Sequence, residues 1–123
     1  MNKTQILIVE DEGIVAKDLQ AMLRGLGYHV PVTVGTGALA IQAAFENRPD
    51  LILMDIQLPE VSGLEVTKWI KEDDDLKAIP IIAVTAFAMK GDEEKIREGG
   101  CEDYIAKPIS VAKFLETVQR FLS

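Results

Sequence analysis

The 123-residue sequence has a single cysteine, Cys101, so an internal disulfide is excluded and the fold depends on its apolar core. We expect the Cys101 thiol to be a small buried group. Uncharged apolar runs are short: Ile79–Met89 is one of the longest and cannot cross a bilayer. Residues 1–9 lack the cleavage signature of a signal peptide. These absences predict a cytoplasmic protein with no membrane partner.

Basic residues are also few. Lys and Arg number 13 against 20 Asp and Glu, which gives a net charge of −7. A duplex-binding surface needs clustered cations, and the sequence contains no such stripe, so we expect no nucleic-acid partner. Hydrophobic residues make up 48% and charged residues 27%, an ordinary globular balance. Without an internal repeat or linker, residues 1–123 are predicted to form one domain with no output domain.

Short apolar runs alternate with stretches of helical spacing. The runs that predict strands are Gln5–Val9, His29–Val34, Leu51–Met54, Ile79–Val84 and Tyr104–Ala106. Five strands alternating with five helices predict an α/β fold, a doubly wound (βα)5 parallel sheet in the strand order 2-1-3-4-5. Strands one and three are neighbours in this order, and ligand chemistry is expected just after their carboxyl ends.

Helix boundaries can be predicted for the first and last helices. Apolar residues at helical spacing lie between Val15 and Leu26, and Gly25 and Gly27 predict the end of that helix. The last helix has the clearest apolar stripe, with Ser110 as its candidate N-cap. The members of the stripe are Val111, Phe114, Leu115, Val118, Phe121 and Leu122.

Acidic residues follow both strands at the predicted ligand edge. Glu10 and Asp11 come directly after the first strand, and Asp55 ends the third. Carboxylates crowded in this way repel one another unless a cation is present. Oxygen ligands suit a hard divalent ion, and Mg²⁺ (or Mn²⁺) needs only one or two carboxylates besides water and phosphate oxygens. The pattern therefore predicts a divalent-cation site.

The ends of the fourth and fifth strands supply groups that a phosphoryl group needs. Thr85 offers a hydroxyl and Lys107 an ammonium. Phosphoryl transfer requires positioning and charge stabilisation more than covalent chemistry from the protein. A carboxylate nucleophile at Asp55, a metal and these two donors satisfy that requirement.

Together these motifs resemble those of bacterial response-regulator receiver domains, the phosphorylated switches of two-component systems. The matching motifs are Glu10-Asp11, Asp55 followed by Ile-Gln-Leu-Pro59, Thr85-Ala86 and Lys107-Pro108. From Asp50 onward the sequence is similar to the DivK family of single-domain regulators of cell division and polarity. The first half is similar to receivers that accompany sensory histidine kinases. The resemblance implies a flavodoxin-like or CheY-like fold.

The resemblance also implies how phosphorylation occurs. Asp55 would accept a phosphoryl group from a phosphohistidine on a histidine kinase or a histidine phosphotransfer protein. Asp11, Asp55 and the backbone carbonyl of Gln57 would ligate Mg²⁺, and Glu10 would act through a water. The domain would assist only its own phosphorylation and dephosphorylation.

Further residues would bind and transmit the phosphoryl group. The resemblance assigns phosphoryl binding to Lys107, Thr85 and the backbone of Ala86, and a cis peptide bond to Lys107-Pro108. Movement of Thr85 toward the phosphate would let Tyr104 move. That movement would change the surface formed by the fourth helix, fifth strand and fifth helix.

Two further implications concern the lifetime and the output of the phosphorylated state. Gln57 and Phe87 each lie two residues beyond a site residue, and both would tune dephosphorylation. The output would be binding of a downstream protein through the changed surface, and a homodimer that forms on phosphorylation is a second outcome.

Other functions are compatible with parts of the pattern. Haloacid-dehalogenase phosphatases also use an aspartate nucleophile, but their motif has a second aspartate where this chain has Gln57. Flavin-binding proteins of this topology have a Ser/Thr-rich phosphate loop after the first strand, where this chain has acids. A protein-binding module that keeps the motifs without the chemistry stays open, as does a receiver excised from a larger protein.

Overall fold

The computed structural model describes residues 4–30, 32–86 and 90–122. The strands there are β1 (Ile6–Val9), β2 (Thr33–Val34), β3 (Leu51–Asp55), β4 (Ile81–Thr85) and β5 (Asp103–Ala106). The helices are α1 (Gly13–Gly25), α2 (Gly37–Asn47), α3 (Gly63–Glu72), α4 (Lys90–Glu98) and α5 (Val111–Leu122). All pairings are parallel, and the sheet order is β2-β1-β3-β4-β5, which confirms the predicted fold class and topology.

The register of the central strands aligns their carboxyl ends. Val9 of β1 pairs with Met54 of β3. The residues that follow them, Glu10 and Asp55, therefore lie at the same height along the sheet. Asp55 in turn pairs with Val84 of β4. The acidic residues of the two motifs therefore meet at one edge of the sheet.

Helices cover both faces of the sheet, and each face has its own core. Leu7 and Val9 of β1 join the core under α2, α3 and α4. Ile6 and Ile8 point the other way, into the core with α1 and α5, where Phe114 is fully buried. This alternation along a strand that is buried on both faces explains why β1 is apolar at every position.

The observed boundaries differ from the predicted ones by one or two residues at the ends of β1, β3, β4 and β5, and by more for the second strand. The second strand was predicted over His29–Val34, but the ladder to β1 includes only Thr33 and Val34, with an isolated bridge from Gln5 to His29. In the sequence, Pro31 separates His29 from Thr33, and a proline has no N–H to donate to a ladder. β2 is consequently a short edge strand.

Several local predictions are confirmed. α1 ends at Gly25, and Gly27 adopts a φ of +88°, in the left-handed region that favours glycine. Ser110 Oγ accepts a hydrogen bond from the backbone N–H of Lys113 at 3.5 Å, consistent with a cap on α5. Cys101 is buried. Among the described residues, each helix is too short or too polar to span a bilayer.

Gly63 sets the distance between α3 and the end of β3. A Cβ added at Gly63 would lie 2.1 Å from the backbone oxygen of Asp55 and 2.9 Å from the Cα of Ile56. The Gly63 N–H also donates a hydrogen bond to the Ile56 oxygen at 2.9 Å. The first turn of α3 thus lies directly against the backbone that carries Asp55, and only glycine permits this approach.

We expect Gly63→Ala to lower the free energy of unfolding by about 2–4 kcal/mol, because backbone atoms cannot yield to the added methyl group. Gly25→Ala is the matched control: no atom lies within 4 Å of its built Cβ, so a change within about 1 kcal/mol is expected. Urea denaturation of both variants measures the difference. Equal stability of the two variants would contradict this role of Gly63.

Candidate functional site

The three acidic residues predicted to meet do so. Carboxylate oxygens of Glu10, Asp11 and Asp55 all lie within 4.8 Å of one another. Glu10 and Asp55 are 4% and 1% exposed, whereas Asp11 is open to solvent. Oxygen donors at this spacing could hold a metal ion, with two of the carboxylates fixed by the sheet and one at the surface.

Lys107 lies among these acids. Its Nζ is 3.0 Å from Glu10 Oε1 and 3.5 Å from Asp55 Oδ2. The backbone N–H of Lys107 donates to the Thr85 oxygen at 2.8 Å, which continues the β4–β5 pairing and aims the side chain at the site. The bond from Lys107 to Pro108 is cis, as expected.

Glu12 is a site residue that the sequence reasoning missed. Its Oε1 lies 3.2 Å from Lys107 Nζ, and its backbone N–H donates to Glu10 Oε2 at 3.2 Å. The signal was present in the run of three acids that begins at Glu10. The sequence does not show which way the Glu12 side chain points, because residues after a strand end can point in several directions.

Two buried oxygens in the site have unused acceptor capacity. Among the described residues, Glu10 Oε1 and Asp55 Oδ2 accept no hydrogen bond, although the Lys107 ammonium is near both. Buried carboxylate oxygens normally have partners, because leaving them unpaired is costly. The pair of open acceptors therefore fits an additional cation at this position.

Burial and charge shift two of the pKa values. Burial, together with the neighbouring Asp55 carboxylate, raises the pKa of the Glu10 carboxyl to about 7 against the opposing effect of Lys107. Burial by itself would lower the pKa of Lys107, but Glu10 and Asp55 hold that pKa above its usual value. Lys107 is therefore a cation at neutral pH, with more negative charge around it than it can neutralise.

Gln57 lies across the site from Lys107. Its backbone N–H donates to Asp55 Oδ1 at 2.9 Å, which fixes the rotation of that carboxylate and leaves Oδ2 toward Lys107. The Gln57 side-chain oxygen accepts a hydrogen bond from the backbone N–H of Ala86 at 3.3 Å. The Ala86 N–H that the resemblance assigns to phosphoryl binding therefore donates to Gln57 in the structure.

The predicted switch residues lie on adjacent strands. Thr85 is the last residue of β4 and is buried. Tyr104, in β5, is half-buried and packs against the core under α4. Phe87 lies outside the described residues.

A polar groove of about 550 Å³ runs between α4, β5 and α5, and Tyr104 forms part of its lining. Asp103 lies in this groove and pairs with Arg97 of α4 at 3.6 Å and with Arg120 of α5. One carboxylate thus joins the two helices across β5. We call this surface the α4–β5–α5 face.

Lys107 also borders an apolar surface. A cavity of about 550 Å³ there is lined in part by Val15, Met22 and Val111. Val111 was predicted to belong to the buried stripe of α5, but its side chain is 55% exposed because the first turn of α5 projects beyond the core. Ile14, at the start of α1, is 80% exposed. We call Ile14, Val15 and Val111 the apolar rim.

The geometry agrees with a known family. The family described as the response regulator receiver domain matches residues 6–119. The chain belongs to this family. The general function of the family is a phosphorylation-dependent switch in two-component signalling, a regulatory role and not a catalytic one.

A curated relative and solved structures agree with this assignment. The polar-differentiation response regulator DivK of Brucella anthropi is 59% identical over 117 residues, which are 95% of this chain and 94% of the relative. The receiver domain of a sensor histidine kinase from Pseudomonas aeruginosa PAO1, with magnesium coordinated in its active-site cleft, has a TM-score of 0.88. It is 39% identical, with 98% of each chain covered.

The chemotaxis response regulator CheY4 of Vibrio cholerae extends the structural likeness. Its TM-score is 0.91 at 25% identity, and 98% of this chain and 99% of that chain are covered. The predicted resemblances to DivK, to receivers of histidine kinases and to the CheY-like fold are therefore confirmed.

The raised pKa of Glu10 predicts how stability varies with pH when no metal is present. The unfolded carboxyl ionises near 4.5 and the folded one near 7, so folding stability should fall as pH rises between these values. We expect Glu10→Gln to raise the free energy of unfolding by about 1–3 kcal/mol at pH 8, and by less at pH 5. Thermal denaturation in EDTA at several pH values measures this.

Glu46→Gln removes the same charge from the exposed surface of α2 and is the control, with no such pH-dependent difference expected. A stabilisation by Glu10→Gln that is larger at pH 5 than at pH 8 would show that the sign is wrong.

Proposed function

We propose that Asp55 is the phosphoacceptor through which this receiver domain is switched. The observation that carries the proposal is its buried Oδ2, which has open acceptor capacity and faces Lys107 at 3.5 Å while Gln57 holds Oδ1. A carboxylate oriented by one oxygen and open at the other is arranged as a nucleophile.

The transfer step can be written at this oxygen. Asp55 Oδ2 would attack the phosphorus of a phosphohistidine, forming an acyl phosphate. The N–P bond breaks, its electron pair returns to the imidazole, and the imidazole leaves. Lys107 would pair with the transferred oxygens, because its ammonium already lies beside the attacking atom.

The residues present fit a divalent ion. Asp11, Asp55 and the backbone carbonyl of Gln57 would hold Mg²⁺ (or Mn²⁺), with Glu10 acting through a water. When bound, the ion supplies charge neutralisation for the phosphoryl oxygens. The acidic cluster and the open acceptor on Glu10 support this assignment.

The phosphoryl group would also bind Thr85 and the Ala86 amide. Gln57 accepts the Ala86 N–H in the present form, so it would have to give up this hydrogen bond first. Gln57 is thereby placed to tune the rates of phosphorylation and dephosphorylation of Asp55. We propose that Phe87 also tunes dephosphorylation. Beyond promoting its own phosphorylation and dephosphorylation, the domain has no proposed catalytic activity.

Movement of Thr85 toward the phosphoryl group is the proposed start of the output. Tyr104 lies on the next strand and lines the α4–β5–α5 face, so a shift at Thr85 would reach this surface through two side chains. We propose that a downstream protein reads this change, and that a phosphorylation-dependent homodimer would use the same face.

Histidine kinases or histidine phosphotransfer proteins are the proposed donors, and we place their contact at the apolar rim. Val15 and Val111 line the cavity beside Lys107, and Ile14, the neighbour of Val15 in α1, is an exposed apolar side chain. Exposed apolar residues grouped beside a polar site favour a protein partner.

We propose no nucleic-acid or membrane partner and a cytoplasmic location. Coverage of 94% of the DivK relative supports residues 1–123 acting as one receiver domain.

Intact-mass measurement after incubation with acetyl phosphate and Mg²⁺ tests the acceptor. We expect one phosphoryl group on the wild-type chain and none on Asp55→Asn, because the amide is no nucleophile. Asp74→Asn removes a carboxylate that is exposed in the loop after α3, and it should be labelled like the wild type. Unchanged labelling of Asp55→Asn would overturn the assignment.

Ile14→Ser tests the docking surface. We expect at least a 3-fold loss in the rate of transfer from a phosphorylated histidine phosphotransfer protein, because an apolar contact is removed. The rate with acetyl phosphate should stay unchanged. Leu39→Ser, at an exposed position on α2, is the control for losing a surface apolar group. Equal effects of Ile14→Ser on both donors would contradict a docking role.

A further inference from the structure

Glu12 occupies the solvent side of the Lys107 ion-pair cluster. The Lys107 ammonium has Glu10 and Asp55 on its buried side, whose side chains are almost inaccessible, and Glu12 on its open side. The Glu12 side chain is 63% exposed. Of the three carboxylates paired with Lys107, Glu12 is therefore the one that a ligand in solvent can contact.

Helix capping does not account for the Glu12 side chain. Glu12 is the N-cap residue of α1, yet its side chain makes no cap hydrogen bond within the described part of the chain. It extends to Lys107 instead. An ion pair whose carboxylate is mostly exposed contributes little to stability, so its consequence is expected in the site and not in the fold.

We propose that Glu12 is a positioning residue that holds Lys107 at the mouth of the site and selects against small anionic phosphodonors. This inference rests on the proposed role of Asp55 as the acceptor. Glu12 acts through Lys107 and through its own charge.

Electrostatics gives the direction of the effect. A small donor such as acetyl phosphate is an anion and has few contacts other than those of its phosphoryl group. Glu12 repels that anion and neutralises part of the Lys107 charge that would attract it. A protein donor also contacts the apolar rim, and that contact area offsets the same repulsion. Glu12 should therefore penalise small donors more than protein donors.

The backbone contribution of Glu12 can be separated from its carboxylate. The hydrogen bond to Glu10 comes from the Glu12 backbone N–H, so Glu12→Gln keeps it and removes only the charge. Glu12→Asp keeps the charge on a shorter side chain. Glu46→Gln gives the same net charge as Glu12→Gln at a position on α2 that is outside the site.

The experiment measures labelling of Asp55 by acetyl phosphate with Mg²⁺, as a function of donor concentration and ionic strength. For Glu12→Gln we expect the maximal rate divided by KM to rise about 3- to 10-fold at low salt, mainly through a lower KM. The gain should shrink as the salt concentration approaches about 0.5 M, where charges are screened within a few ångströms. Transfer from a phosphorylated histidine phosphotransfer protein should change less than 2-fold.

Glu46→Gln should match the wild type under every condition, and Glu12→Asp should lie nearer the wild type than Glu12→Gln. A Glu12→Gln rate equal to wild type at low salt, or a gain that salt does not reduce, would overturn the role of Glu12 alone. A wild-type chain that takes no label from either donor would overturn the acceptor assignment, and the role of Glu12 with it.

Discussion

The site depends on one ammonium group, that of Lys107, which pairs with several carboxylates at once. The sheet register brings Glu10 and Asp55 together at a buried edge, and Lys107 is the ammonium within reach of both. One positive charge cannot neutralise two buried carboxylates, and a third, Glu12, draws on it from the solvent side. The site is consequently under electrostatic stress, which a divalent ion relieves. The crowding of carboxylates that lowers folding stability is the same arrangement that could hold a metal ion.

The sequence was sufficient to predict the layout, for identifiable reasons. Strands buried on both faces leave continuous apolar runs, so β1 and β3 are visible as runs that end in Glu10 and Asp55. Topology rules then give the strand order, and the order implies that these acids meet. Only backbone periodicity and chain connectivity were needed, and both can be read from the chain.

What the sequence could not supply are features set by side-chain direction. The contact of Glu12 with Lys107 and the hydrogen bond from Ala86 to Gln57 both depend on how loops leave the sheet. Val111 has the spacing of a core residue, but its position at the first turn of α5 leaves it exposed. Periodicity identifies the buried face of a helix and does not show where along its length the core ends.

The close approach of α3 to β3 has a consequence for how a signal can travel. Because Gly63 lies against the backbone of Asp55, the junction between β3 and α3 has no slack to take up a displacement. A phosphoryl group on Asp55, as proposed, would therefore meet close-packed backbone on this side. The resulting deformation would be directed toward β4 and β5, which carry the proposed switch residues Thr85 and Tyr104. A single missing methyl group would thereby make the response of the domain one-sided.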